Sequence, residues 1–208
     1  MPDTDEQETE ELIERSARGD RAATQRLLAK YRPRVRHMVV VRLDSRLAAR
    51  VDPSDVVQEA FVEVTKRLPE YLRTRPMPFY PWLRQIAWEQ LVAMHRQHLH
   101  AQKRSVRQEA PQGMVLSDAS AIQLAERVTA AQTSASGQAI RKEMCQRTRW
   151  ALEQLKAKDR EVLTLRFLEQ LSIREVASVL QASEAAVQMR QARALERLRD
   201  LLDEDFGE

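Results

Sequence analysis

The sequence predicts an all-α protein of two helical domains joined by a flexible linker, the C-terminal one containing a helix-turn-helix. Three observations carry that expectation. Apolar residues recur at three- and four-residue spacing along most of the 208 residues, whereas aromatics make up only 5 %. The four glycines, Gly19, Gly113, Gly137 and Gly207, all fall where that periodicity lapses, so they punctuate helical blocks. Residues 105–137 lose the periodicity and carry Pro111, Gly113 and the polar run Thr133-Ser134-Ala135-Ser136-Gly137. A stretch that long is expected to be a functional linker, with a short helix near Ala121–Ala131.

The first block reads as helices throughout. Asp20 can cap a helix after Gly19, with Ala22, Leu27 and Leu28 facing inward. Pro33 is expected to open or kink the next segment, which carries Val35, Met38, Val39 and Val40. Asp52-Pro53-Ser54-Asp55 is a strong helix start, combining an N-cap, a proline in the first turn and an acid at the positive helix end. Behind it Val57, Phe61, Val64 and Leu68 form a core stripe, and Pro69 is expected to end the helix. A loop with Pro76, Pro78 and Pro81 leads into a long helix from Phe79 to Lys103. Its inward face is Phe79, Leu83, Ile86 and Met94, with Trp82 at the edge and Trp88 opposite.

After Gly137 three helical segments are expected, over Ile140–Leu155, Asp159–Glu169 and Ile173–Leu180. Ser172-Ile173-Arg174-Glu175 is a capping-box pattern. The short turn Gln181-Ala182 precedes Ser183, which can cap a final helix to about Asp203, giving a helix-turn-helix. Ile173, Val176, Ala177 and Leu180 can then face Val187, Leu195, Leu198 and Leu202. Gln188, Arg190 and Arg193 project outward, a pattern that suits the major groove of duplex DNA; a helical hairpin with a solvated charged face fits it too.

Charge is unevenly spread. The first fourteen residues hold seven acids and no base, whereas residues 91–107 hold four bases, three histidines and no acid. The basic part suits a polyanionic partner, with a solvated face as the alternative. Cys145 is the only cysteine, so no intramolecular disulfide forms, as expected of a cytoplasmic protein. No apolar run reaches the ~20 residues of a membrane span, and no apolar signal segment opens the chain. His95, His98 and His100 do not share one helix face, so no metal is expected; no phosphate-cradling loop or nucleophile–base pair indicates an enzyme or a cofactor.

Several blocks together resemble the extracytoplasmic-function (ECF) sigma factors of bacterial RNA polymerase. Residues 12–104, with Gly19-Asp20-Arg21-Ala22-Ala23, Asp55-Val56-Val57-Gln58-Glu59-Ala60-Phe61 and Trp82-Leu83-Arg84-Gln85-Ile86-Ala87, are similar to the first domain of that family. Residues 152–202 are similar to the second, through Leu152-Glu153-Gln154-Leu155, Asp159-Arg160-Glu161-Val162-Leu163, Leu165-Arg166 and Arg193-Ala194-Leu195-Glu196-Arg197-Leu198-Arg199. The resemblance implies a region 2-like domain over residues 1–104, a linker over 105–137 and a region 4-like helix-turn-helix domain over 138–208. It implies a non-catalytic factor that binds core RNA polymerase and promoter DNA, with an anti-sigma factor as a further partner. The stand-alone alternative, a helix-turn-helix regulator that does not engage polymerase, leaves residues 12–104 without a role, and a helical adaptor leaves the basic recognition face unexplained.

Carried over position by position, Asp55, Gln58, Glu59 and Phe61 match the polymerase-docking helix, where Phe61 also reads as core. The long helix matches the element that melts and reads the −10 region. There Tyr80, Arg84, Trp88, Arg96, Lys103 and Arg104 are the expected DNA contacts, because single-strand capture combines aromatics with bases. Arg166, Gln188, Arg190 and Arg193 are expected at the −35 element, Arg166 on phosphate. The chain departs from the family pattern at Glu89, where many members carry Asn, at Ala186 in place of a common Thr, and at Gln188-Met189 in place of a basic-polar pair.

Overall fold

The computed structural model describes residues 4–43, 51–102, Leu124 and 138–204. These form two units, each with its own core, and among the described residues every regular element is helical. No helix in them is long and apolar enough to cross a membrane. The expected linker lies outside the described residues except for Leu124, which is helical and buried.

In the N-terminal unit, α1 (Thr4–Ala17) is the acidic stretch of the sequence. Leu12 and Ile13 bury one side of it, while Glu8 pairs with Lys30 at 2.6 Å and Glu10 with Arg75. Gly19 follows at φ 87, a left-handed turn in which a side chain would be strained. Asp20 then caps α2 (Arg21–Arg42), its carboxylate accepting from Ala23 N at 3.0 Å and from the Arg15 guanidinium at 2.7 Å. These bonds hold the Asp20 carboxyl below its ordinary pKa, the backbone donor contributing most. Leu27 is buried as expected, but the small inward residue is Ala23, while Ala22 is exposed.

Pro69 does not end its helix as expected, and Pro33 does not open one. Pro33 lies inside α2 and Pro69 inside α3 (Pro53–Thr74), and neither ends its helix. Both sit on exposed positions, where water can satisfy the carbonyl that proline leaves unpaired. Beyond each, buried residues hold the helix to the core: Val35, Met38 and Val39 after Pro33, Tyr71 after Pro69. Val40 stays exposed, on the outer side of α2. Helix α3 starts at Asp52, whose side chain accepts from Ser54 N at 2.7 Å, and stops at Arg75, in the left-handed region at φ 39.

Helix α4 (Phe79–Gln102) packs on α3 through an aromatic cluster. Tyr71 stacks on Trp82 with centroids 4.3 Å apart, Phe79 meets Tyr71 edge-on at 5.5 Å, and Tyr31 of α2 stacks on Tyr80 at 5.8 Å. The Tyr71 hydroxyl donates to Met77 O at 3.0 Å, and burial pushes it up to about 12.

In the C-terminal unit, α5 (Gln138–Gln154) leads into α6 (Ala157–Leu163), which widens into a π-helical turn over Thr164–Leu168. The expected single helix over Asp159–Glu169 is therefore two geometries. The π turn sets Leu165 and Leu168 into the core and ends where Leu171 N donates to Leu165 O at 2.9 Å. Helix α7 (Ile173–Leu180) carries both bonds of the capping box between Ser172 and Glu175. Gln181 makes the turn at φ 50, and Ser183 accepts from Ala186 N at the start of α8 (Glu184–Glu204).

The core of this unit joins Leu124, Leu152, Leu163, Leu168, Ala194, Leu198 and Leu202 with Val41. Val41 and Arg42, which close α2, and Leu43 after them group with the C-terminal unit. There the Arg42 guanidinium donates to Glu169 at 2.5 Å and to Glu161 at 2.7 Å. Burial opposes the charge on Arg42, but Glu169 and Glu161 outweigh it and raise its pKa.

Candidate docking and nucleic-acid interfaces

On α3 the buried stripe of Val56, Val57, Ala60, Val64 and Leu68 fixes which side chains turn out. Asp55, Gln58 and Glu59 are all exposed and stand at i, i+3 and i+4, so they share one face. Val62 completes that face at i+7 and is 58 % exposed, one of four large apolar side chains exposed among the described residues. This acidic and amide strip, with an apolar residue at its far end and a helix anchored from behind, is chemically complementary to a basic surface with an apolar spot. Sequence reasoning missed Val62; its place one turn beyond Gln58 and Glu59 was the available signal. Phe61 lies off this face, half-buried, with the Arg32 guanidinium 5.3 Å above its ring, in keeping with its second reading as core.

The residues expected to capture single-stranded DNA divide into three groups. Tyr80 and Arg84 are buried, 2 % and 5 % exposed, and do not form an outer surface. Tyr80 is held between Tyr31 and the Arg34 guanidinium, 3.6 Å above its ring, because the aromatic cluster draws the first turn of α4 inward. Trp88 is half-buried and Arg96 exposed, so both reach the surface. Lys103 and Arg104 lie outside the described residues, as do the side chains of His98, His100 and Cys145. No three His, Cys, Asp or Glu side chains among the described residues come together to hold a metal.

Glu89 has a local explanation. Arg67 of α3 donates to it at 2.9 Å and to Glu63 at 2.7 Å, and Gln85 donates to its other oxygen at 3.3 Å. The Arg67 and Lys66 bonds hold Glu63 below the usual carboxylate range. The acid on α4 is thus matched by a base from the neighbouring helix, which softens its repulsion of any anion nearby.

In the helix-turn-helix, Val187, Ala194 and Leu198 are buried and mark the inward side of α8. Gln188 and Arg193 are exposed and Arg190 is half-buried at the flank. Met189, at 57 % exposed, occupies the middle of the outer face. Arg166 behaves differently from the exposed bases. Its guanidinium turns inward, donating from Nε to Gln191 Oε1 at 3.0 Å and from Nη1 to Leu171 O. It ties the π turn and the loop before α7 to α8, which orients the helix. That long-range bond has no signature in local sequence.

Comparison with known proteins bears on both units. Residues 27–100 match the family model for Sigma-70 region 2, and residues 151–200 that for Sigma-70, region 4. The chain is 30 % identical over 189 residues to the ECF RNA polymerase sigma factor SigD of Mycobacterium tuberculosis, covering 91 % of this chain and 81 % of the relative. It is 28 % identical over 193 residues to the RNA polymerase sigma-H factor of Pseudomonas aeruginosa, covering 93 % of each. Among solved structures, that of CnrH in complex with the cytosolic domain of CnrY shares the fold, with a TM-score of 0.55 and 23 % identity over 95 % of this chain and 99 % of that one.

Proposed function

The chain belongs to the ECF RNA polymerase sigma factors, and we propose how its residues carry out that family's work of binding core polymerase and directing promoter-specific initiation. Such factors are not enzymes; their contribution is recognition. Residues 1–104 act as the region 2-like domain, residues 105–137 as the linker, and residues 138–208 as the region 4-like domain. The work is done where polymerase and chromosome meet, in the cytoplasm, and an anti-sigma factor is a further partner of the same surfaces.

Docking is assigned to Asp55, Gln58 and Glu59 with Val62 one turn beyond them on the same face, and Phe61 supports them from the flank. Single-strand capture at −10 is assigned to Trp88 and Arg96, with Lys103 and Arg104 continuing the basic run. Tyr80 and Arg84 support that helix from within. Stacking contributes ~1–3 kcal/mol per base, and opening an average duplex step costs ~1.4 kcal/mol, so capture of two or three bases sustains a short bubble. At −35, Gln188, Arg190 and Arg193 read or steady the major groove, and Arg166 positions the helix that carries them. One chain holding two promoter elements gains avidity when the linker spans them.

The observation that carries the reading is the anchored Asp55–Gln58–Glu59–Val62 face in the same chain as an outward-facing recognition helix. A stand-alone regulator would use the second and leave the first idle. Replacing Gln58 and Glu59 together with Lys is expected to abolish holoenzyme formation with helical circular dichroism unchanged. Undiminished binding to core polymerase by that variant overturns the docking assignment.

A further inference from the structure

Helix α8 turns about 100° per residue, so its buried Val187, Ala194 and Leu198 place Met189 almost diametrically outward. Ala185 and Ala192, both exposed, lie about one turn before and after it on the same side. The centre of the face is therefore apolar. Gln188 and Arg193 edge it, Arg190 stands at the flank, and Glu196 lies two turns beyond Met189 on the same side. Met189 is too exposed to serve the core.

Charge and shape argue for one occupant, duplex DNA. Arg190 and Arg193 suit a polyanion, and the first turns of the second helix in such a unit are the ones that reach base edges. Within the major groove, the group that complements an apolar side chain is the thymine C5-methyl. Methionine's unbranched, polarizable thioether can follow that methyl where a branched side chain would collide. We propose that Met189, with Ala185 beside it, is a specificity-determining residue that reads a thymine methyl in the −35 element. The inference rests on the proposed placement of α8 in the major groove and adds to it a base identity and the atom that is read.

Uracil in place of thymine removes that methyl and leaves every hydrogen-bonding group intact. The duplex to use is the −35 sequence that the wild-type holoenzyme selects from a library randomised at that element. Each thymine is then replaced singly by deoxyuridine, and holoenzyme affinity is measured. At one thymine the wild type is expected to lose affinity about fourfold, the equivalent of ~0.8 kcal/mol per buried methyl group. Met189→Ala, a change on the exposed face, is expected to bind thymine and uracil duplexes alike.

If uracil at every position leaves wild-type affinity unchanged, the methyl is not read and the proposal is overturned. If uracil weakens wild type and Met189→Ala equally, another residue reads the methyl and the assignment to Met189 is overturned. A holoenzyme that selects no −35 sequence at all instead removes the major-groove placement on which the inference stands.

Discussion

Replacing Val62 tests the docking face at the residue that charge reasoning alone would overlook. A valine side chain contributes ~1.5 kcal/mol when taken fully out of water. With 58 % of Val62 exposed, about 0.9 kcal/mol remains to be gained on docking, roughly a fivefold effect on Kd. Val62→Ala gives up only part of that, so its Kd is expected to rise less than fivefold. Val62→Lys gives up all of it and places a cation among Asp55, Gln58 and Glu59. That cation screens Glu59 from a basic partner, and a single charge contact is worth ~1–4 kcal/mol between bulk water and a half-desolvated interface. The sum is at least about 2 kcal/mol, or roughly 30-fold in Kd. Neither change threatens the helix, because Ala and Lys favour helix more than Val and the position is exposed. The assay is a fluorescence-anisotropy titration of labelled protein with core polymerase, alongside circular dichroism. Wild type, Ala and Lys should rank in that order; a Val62→Lys variant with wild-type affinity and helicity refutes the reasoning.

Further expectations concern melting, pH and the C-terminal core. Trp88→Ala should lower transcription from duplex promoters more than from templates with a pre-opened bubble; equal losses would make Trp88 structural. The Tyr71 pKa is raised by burial from 10.0 to about 12, so the neutral phenol is favoured in the folded state. Its contribution to stability is fully present below pH 10 and is lost as pH rises from 10 towards 12. Urea midpoints across that window should fall more steeply for wild type than for Tyr71→Phe, and parallel slopes would contradict the assignment. Arg42→Met removes the cation shared by Glu161 and the fully buried Glu169, and should cost ~3–5 kcal/mol in urea unfolding. An unchanged midpoint would show that this ion pair does not hold the C-terminal unit.

Local chemistry was legible in the sequence, and long-range packing was not. Asp52-Pro53 and Ser172–Glu175 announce helix starts because the capping bonds are made within three residues, and both starts formed as read. Pro69 does not end its helix, because a proline's local cost is weighed against whether the residues beyond it have a core to enter. Tyr80 looks available to DNA in the sequence because its neighbours, Tyr31 and Arg34, lie some fifty residues away; only tertiary packing draws it in, and Arg84 is buried with it. Nothing local marks Val41 as a member of the core cluster that includes Leu198, or Arg42 as the partner of Glu161 and Glu169. On α8 the exposed polar residues were found by their chemistry. Met189 stands out in the sequence only as a departure from the family pattern, because an apolar residue's place on the outer face shows only once the buried side is known.

The central claim is that this chain gives core polymerase promoter selectivity through two separate elements. Run-off transcription with purified core polymerase measures it directly, on a promoter selected by the holoenzyme and on versions scrambled at −35 or at −10. A discrete transcript is expected only when the chain is added, and scrambling either element should reduce it. Tight binding of the chain to DNA with no chain-dependent transcript would contradict the account.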